Sequence, residues 1–255
     1  MEAILFKLSG RTAFFRKPDV NTGVYFTYNN IHKVALLGLL GAVIGLEGYN
    51  EQYVRSKKNI DVQYPEFYEK LKNLKISITP FGTKGYFTKK IQVFNNTVGY
   101  ANKDKDMNPC NLVVHEQWLE NPKWQIGLLN DNSIDKDIYE KLKDYLLNRK
   151  CVYIPYLGKN NHFAQIEDVK VVNIKETEDF NHIDSLFEEE LVDIGDEPFD
   201  EEEDIFFFRE YSPCSLNKDH NYYEFKKLCY TNLEIVKTNG IKNIFQYRDE
   251  NLAFY

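Results

Sequence analysis

Cysteine is scarce in this chain of 255 residues. The four present (Cys110, Cys151, Cys214 and Cys229) lie far apart, with no C-x-x-C pair and no paired histidine spacing. That pattern excludes a disulfide framework and a zinc site, and it reads as reduced thiols in a cytoplasmic protein. Long apolar runs are also missing. The longest uncharged one, Val34–Leu46, has 13 residues, short of the roughly 20 that span a bilayer. The start, Met1-Glu-Ala-Ile-Leu-Phe-Lys-Leu-Ser-Gly, lacks the basic and then apolar layout of a signal peptide. No membrane partner is expected. There is no G-x-x-x-x-G-K-[ST] loop and no His-Asp or Glu-x-x-His spacing, so neither a cofactor nor a metal is expected.

Basic residues are absent from one long stretch. Between Glu176 and Asp204 there are 15 acidic residues and no Lys or Arg. The formal net charge is −7, so the rest of the chain carries +8. The total argues against a polyanionic partner, but its distribution does not: a mildly basic body carries one acidic insertion. With 43% hydrophobic and 15% aromatic residues, the composition is globular.

Ala3–Leu8 is a strand candidate, and a basic, aromatic loop follows it. Asn29-Asn30 offers an N-cap to a buried helix from Ile31 to about Leu46. Gly38, Gly41 and Gly45 within it imply that something, most simply a sheet, lies close to its backbone. After a charged linker, Glu51–Asn73, the alternation in Leu74–Pro80 predicts a half-buried strand, and Phe87–Phe94 a second. Asn95–Asn111 reads as the exposed tip of an inserted hairpin. Asn111–Leu119 and Lys123–Leu129 are expected to pair around an Asn-Pro turn. Ser133 is expected to cap a helix over Ile134–Lys150, followed by a strand at Cys151–Pro155. The fold class expected is α+β: a ferredoxin-like β-α-β-β-α-β domain over 1–155 with a thumb hairpin near 88–115. A small C-terminal β region, 156–255, would carry the acidic insertion 176–204, with strands around Ile205–Phe208, Lys227–Tyr230 and Ile244–Tyr247.

Four segments resemble a known family: Arg11-Thr-Ala-Phe-Phe-Arg-Lys-Pro-Asp, the stretch from Tyr25 through Leu46, Tyr156-Leu-Gly-Lys-Asn, and Tyr230-Thr-Asn. They are similar to the CRISPR-associated RAMP-superfamily subunit of type I-B Cascade that holds the 5′ handle of the CRISPR RNA. The resemblance runs over nearly the whole chain and is poorest in the acidic insertion. It implies an RRM-related RAMP domain with a thumb. It also implies a non-catalytic, RNA-binding role in antiviral defence, capping the handle. The partners implied are the first backbone subunit, the large PAM-recognising subunit and, indirectly, target DNA. In such complexes base pairing reads sequence, while protein reads backbone and shape.

Three segments carry candidate RNA contacts. Around the expected helix start lie Arg11, Arg16, Lys17, Tyr28, Asn29, His32 and Lys33. Cations there neutralise phosphates and amides reach base edges, with a helix N-terminus as the anion site; the alternative is a plain cap with solvated cations. Lys89, Lys90, Tyr100, Lys103 and Lys105 are a basic-aromatic set on the inserted hairpin, which is otherwise a surface hairpin. Gly158 and Lys159 permit close approach to a phosphate or, equally, form a turn between strands; Gly82-Thr83-Lys84-Gly85 reads the same way.

The runner-up activity is a metal-independent endoribonuclease that processes CRISPR repeat RNA. Such cleavage needs a base for the 2′-hydroxyl and an acid at the leaving oxygen. His32, His115 and His162, with Tyr28 or Lys33, supply those residue types, though nothing in the spacing brings them together. The acidic stretch is expected to be a solvated, partly disordered loop lying away from the guide.

Overall fold

The computed structural model describes residues 1–19, 23–58, 62–97 and 111–255. The first half contains β1 (Glu2–Ser9), β2 (Thr12–Ala13), α1 (Lys33–Ile44), α2 (Tyr49–Lys57), α3 (Glu66–Leu71), β3 (Ile76–Pro80), β4 (Lys89–Thr97), β5 (Asn111–Glu120), β6 (Lys123–Asn130) and α4 (Lys136–Leu147). The second half contains β7 (Gln165–Asn173), β8 (Lys175–Glu176), β9 (Phe187–Glu188), β10 (Val192–Pro198), β11 (Phe207–Leu216), β12 (Tyr223–Thr231), β13 (Leu233–Thr238), β14 (Ile244–Tyr247) and β15 (Glu250–Ala253). No single helix among the described residues is long and apolar enough to cross a membrane.

The chain is a mixed α/β protein of several antiparallel sheets. Its main sheet has the order β3-β6-β1-β7, with every neighbouring pair antiparallel. β1 shows why its sequence is an unbroken apolar run. Side chains alternate across a strand, so Ile4, Phe6 and Leu8 enter the core shared with α1, while Ala3 and Leu5 meet Phe245, Leu252 and Phe254. The sheet is thus covered on both faces, by helices on one and by the β8-β14-β15 sheet on the other. β3 is buried at all five positions rather than half-buried.

Helix α1 is buried as expected, but not as expected in its details. Its N-cap is His32, whose Nδ1 accepts the Ala35 N–H at 3.2 Å, and neither Asn29 nor Asn30. Both asparagines are instead spent inside the core: the Trp124 indole N–H donates to Asn30 Oδ1 at 2.9 Å. What lies against Gly38 and Gly41 is α3, not a sheet, while Gly45, the C-cap, meets Val152. A Cβ on Gly41 would lie 2.5 Å from Cβ of Phe67. α3 and α2 both fall in the segment expected to be a linker. α4 is capped by Asp135, which accepts the Asp137 and Ile138 N–H groups, and not by Ser133.

Two strand expectations are corrected. β5 does not pair with β6; it pairs with β4 over Lys89↔Leu119 to Thr97↔Asn111 and with β2 at its other edge, while β6 joins the main sheet. The chain changes sheets at Asn121-Pro122, where Asn121 takes a φ of 47°. Cys151–Pro155 is not a strand. The fourth strand is β7, so the main sheet draws on residues beyond the expected division at 155/156. The acidic stretch is ordered rather than a solvated loop. Ile183, Leu186, Phe187 and Val192 are buried, and β9 and β10 pair with β12 and β13. Some of its charges have partners: Glu188 meets Lys226 at 2.5 Å, Glu189 meets Arg209 at 2.5 Å and Lys227 at 3.2 Å.

Candidate nucleic-acid interface

The small sheet β2-β5-β4 assembles the three segments that the sequence separates. The basic loop lies along β5: the Tyr25 N–H donates to the His115 carbonyl and the Gln117 N–H to the Tyr25 carbonyl, both at 2.9 Å. The turn at 156–163 closes the other side, where the Phe14 N–H donates to the Leu157 carbonyl at 3.1 Å. Gly158 sits there in the left-handed region, φ 84°, and a Cβ on it would run into the Phe14 carbonyl. Its glycine is therefore required by the turn itself.

A buried network ties the segments together. Glu116 accepts the Trp118 indole N–H at 2.8 Å and Lys159 Nζ at 2.9 and 3.2 Å. Lys159 also lies over the rings of Phe14 and Phe94. Trp118 meets the His162 ring edge-on at 4.6 Å, and His162 Nδ1 is hydrogen-bonded to the Thr12 hydroxyl at 2.6 Å. Burial pushes the His162 imidazole down to about 4, so it is neutral near pH 7.

Cations ring this sheet. Arg11 and Arg16 are exposed, and Arg16 stacks over Tyr25 at 3.9 Å. Lys89 is also exposed, at the base of β4. Among the described residues these three have no carboxylate within ion-pair distance, whereas Lys17, Lys90 and Lys159 each have one: Glu210, Glu120 and Glu116. Arg16 presents a flat guanidinium already stacked on a ring, and Arg11 and Lys89 supply further charge. That combination suits phosphates and unpaired bases.

The helix start is not part of this surface. Tyr28, Asn29, His32 and Lys33 are all buried. Asn29 spends its side chain on the Gly85 carbonyl and the Phe87 N–H. Lys33 Nζ donates to the Tyr255 carbonyl at 2.8 Å, and burial pushes its pKa down to about 8. His32 lies edge-on to Phe15, Tyr28 and Tyr223, and burial pushes it down to about 3. The Tyr28 hydroxyl is raised well above its usual range by burial. In the loop before the helix the chain supplies its own anion: the Asn29 N–H donates to both carboxylate oxygens of Glu210.

Of the expected hairpin residues, Tyr100, Lys103 and Lys105 lie outside the described residues, as does Cys110. His115 is half-buried in β5, and no hydrogen bond or ring contact joins it to His32 or His162. The described residues contain no cluster of His, Cys, Asp or Glu able to hold a metal. Glu116, Trp118 and Glu210 were not anticipated. Only Glu116 left a trace in the sequence, as an acid between Val114 and Trp118 on one face of a strand.

No protein-family model matches this chain, and no curated protein does. Among solved structures it is similar to a chain of a CRISPR RNA-guided surveillance complex, at TM-score 0.50 and 12% identity over 92% of this chain and 91% of that one. It is also similar to a CRISPR protein from Archaeoglobus fulgidus, at TM-score 0.47 and 12% identity over 99% and 98%. The first likeness establishes a shared fold.

Proposed function

We propose that this chain is a non-catalytic CRISPR RNA-binding subunit of a type I-B Cascade effector complex in the cytoplasm. In this reading it caps the 5′ handle of the guide and bridges the first backbone subunit to the large PAM-recognising subunit. Target DNA is met through the complex. The observation that carries the reading is the gathering of three separate segments onto one small sheet, with Arg11, Arg16 and Lys89 left without carboxylate partners among the described residues. The fold shared with a surveillance-complex chain supports a place in such an assembly. The β3-β6-β1-β7 order, with α1 and α4 against one face, supports a ferredoxin-like RAMP domain, and the β4–β5 ladder supports its thumb.

Burial of His32 and Tyr28 supports a binder rather than an enzyme. A base must reach the 2′-hydroxyl it deprotonates, and both groups are buried, His32 among the rings of Phe15, Tyr28 and Tyr223. The test is ultraviolet crosslinking of the guide's 5′ end in the assembled complex, read by peptide mapping. Crosslinks are expected in peptides containing Arg11–Lys17 and Lys89–Lys90. Crosslinks exclusively to other subunits would contradict the reading.

A further inference from the structure

Glu116, in the middle of β5, is closed off from solvent at 5% exposure. A buried carboxylate has to be paired, and its two side-chain donors are Trp118 on its own strand and Lys159 on the turn at 156–163. That turn is fixed before the Lys159 side chain leaves it. The His162 N–H donates to the Lys159 carbonyl at 2.9 Å, the Leu157 N–H donates to the His162 carbonyl at 2.8 Å, and Leu157 is fully buried. The ladder that Lys159 reaches is held less firmly. β5 meets β2 only at Leu119 and Glu120, and Ile91, Val93 and Val113 of the ladder are more than half exposed. Lys159 ties one face of this projecting ladder back to the turn, passing over the ring of Phe94.

The same carboxylate stands beside the cation of the basic loop. Tyr25 and Glu116 are bridge partners, so their side chains leave the sheet on one face. The Tyr25 ring carries the Arg16 guanidinium at 3.9 Å, and Arg16 is itself bridged to Thr27. Lys89 stands on the opposite face, because Glu116 pairs with Gln92 and side chains alternate along β4. Lys159 is poorly placed to serve a phosphate. Moving its ammonium away would leave Glu116 buried with the Trp118 indole as its remaining side-chain donor. An exposed ion pair returns less than a buried, unpaired carboxylate costs.

We propose that Glu116 is a positioning residue for strand binding: through Lys159 it holds the β4–β5 ladder against the turn, and through Tyr25 it sets the place of the Arg16 guanidinium. Lys159 serves the carboxylate and no phosphate. The proposal rests on the nucleic-acid-binding reading above and adds how one of its exposed cations is held.

The experiment titrates handle RNA against the full chain over a range of salt concentrations. Glu116→Gln keeps the shape, Lys159→Arg keeps the pair, and thermal melts check that each variant is folded. Removing a negative charge from a binding surface by itself tightens RNA binding. Glu116→Gln is expected instead to weaken it by about 5-fold or more, the low end of coupling between linked sites. Lys159→Met should weaken binding with the salt slope unchanged, whereas loss of a phosphate contact lowers that slope by about 0.7. Lys159→Arg should bind as the wild type does.

A double-mutant cycle gives the readout that a merely loosened fold does not. Arg16→Ala should cost less affinity in the Glu116→Gln background than in the wild type, while Lys89→Ala, on the other face, costs the same in both. The same cycle in the Lys159→Met background carries the test if Glu116→Gln melts early. Tighter binding by Glu116→Gln, a lower slope in Lys159→Met, or an Arg16→Ala cost that is nil or equal in both backgrounds overturns the proposal, while binding by the wild type keeps the handle reading. A Lys89→Ala cost that falls as far as that of Arg16→Ala gives Glu116 a structural role only and overturns it too. Failure of the wild type to bind handle RNA overturns the reading and the proposal together.

Discussion

The Glu210 carboxylate sits on the backbone N–H of Asn29, with its two oxygens 3.1 and 3.0 Å from the nitrogen, and Lys17 Nζ lies 3.3 Å from it. The chain thus supplies an anion of its own where the sequence suggested a phosphate. Glu210 is only 12% exposed, and burial raises its pKa despite Lys17 and the Asn29 N–H acting in the opposite direction. Glu210→Gln keeps the shape and removes the charge. Hydrogen bonds to charged groups contribute about 1.5–3 kcal/mol, so near pH 7 a urea unfolding curve should show a loss of that order. An unchanged midpoint would mean the carboxylate is dispensable.

Gly38 and Gly41 face the same phenylalanine at different distances, and their alanine variants should part accordingly. A Cβ on Gly41 would sit 2.5 Å from Cβ of Phe67, while one on Gly38 finds its nearest neighbour at 3.7 Å. Gly41→Ala should destabilise by about 1–3 kcal/mol through overpacking. Gly38→Ala should be neutral or stabilise by up to about 1 kcal/mol, the helix-propensity gain. Thermal melts of the two variants side by side decide it; equal effects would mean α3 does not press on α1 as described.

Two buried histidines set an acid sensitivity. Both His32 and His162 are lowered by burial from 6.5, to about 3 and about 4. Between about pH 6.5 and 4 the unfolded chain therefore binds protons that the folded chain refuses, and stability falls as the pH drops through that window. The slope is at most about 1.4 kcal/mol per pH unit for each histidine. His162→Gln should flatten the curve by one histidine's share in urea titrations from about pH 7 to pH 5. A curve of unaltered slope would show that His162 is not held neutral.

Cleavage separates binder from enzyme. Pure protein incubated with repeat RNA in EDTA is expected to leave the RNA intact. A discrete product abolished by His115→Ala would contradict the non-catalytic reading, because His115 is the one sequence-flagged histidine that is not buried.

Much of the fold was legible where burial is one-sided or complete. β1 and α1 are apolar runs and β3 alternates, and their existence followed from the residues alone. Several of the differences lie in exposed elements. Val152, Tyr153 and Ile154 are strand-forming residues, yet they are 50%, 60% and 67% exposed and form no strand. The real fourth strand, β7, is an edge with polar Glu167, Asp168 and Lys170, interrupted by a register shift, with Asp168 at φ 53°. α2 buries no residue at all, so it reads as a linker. At the site, the exposed cations were legible by type, but the burial of His32 and Lys33 was not. Polar residues at a helix start look the same whether they meet solvent or, as here, Tyr223 and Tyr255. Glu210 is 181 residues from Asn29, a separation no local pattern reaches.

The placement of Lys33 reverses an expectation the sequence encourages. Because its ammonium is buried against the Tyr255 carbonyl, Lys33→Met should alter the melting temperature and leave the salt dependence of RNA binding as it was. A lowered salt slope in this variant would return Lys33 to the interface.

The central claim is that the small sheet holds the 5′ handle through Arg11, Arg16 and Lys89, and salt dependence tests it most directly. Handle RNA is titrated against the wild type and the Arg11→Ala/Arg16→Ala/Lys89→Ala variant over a range of salt concentrations. All three residues are exposed, so stability should change by no more than about 0.5 kcal/mol per site. Each phosphate contact on a single strand contributes about 0.7 to the slope of log affinity against log salt. The account predicts weaker binding and a slope smaller by about 2. Equal affinity at every salt concentration would contradict it.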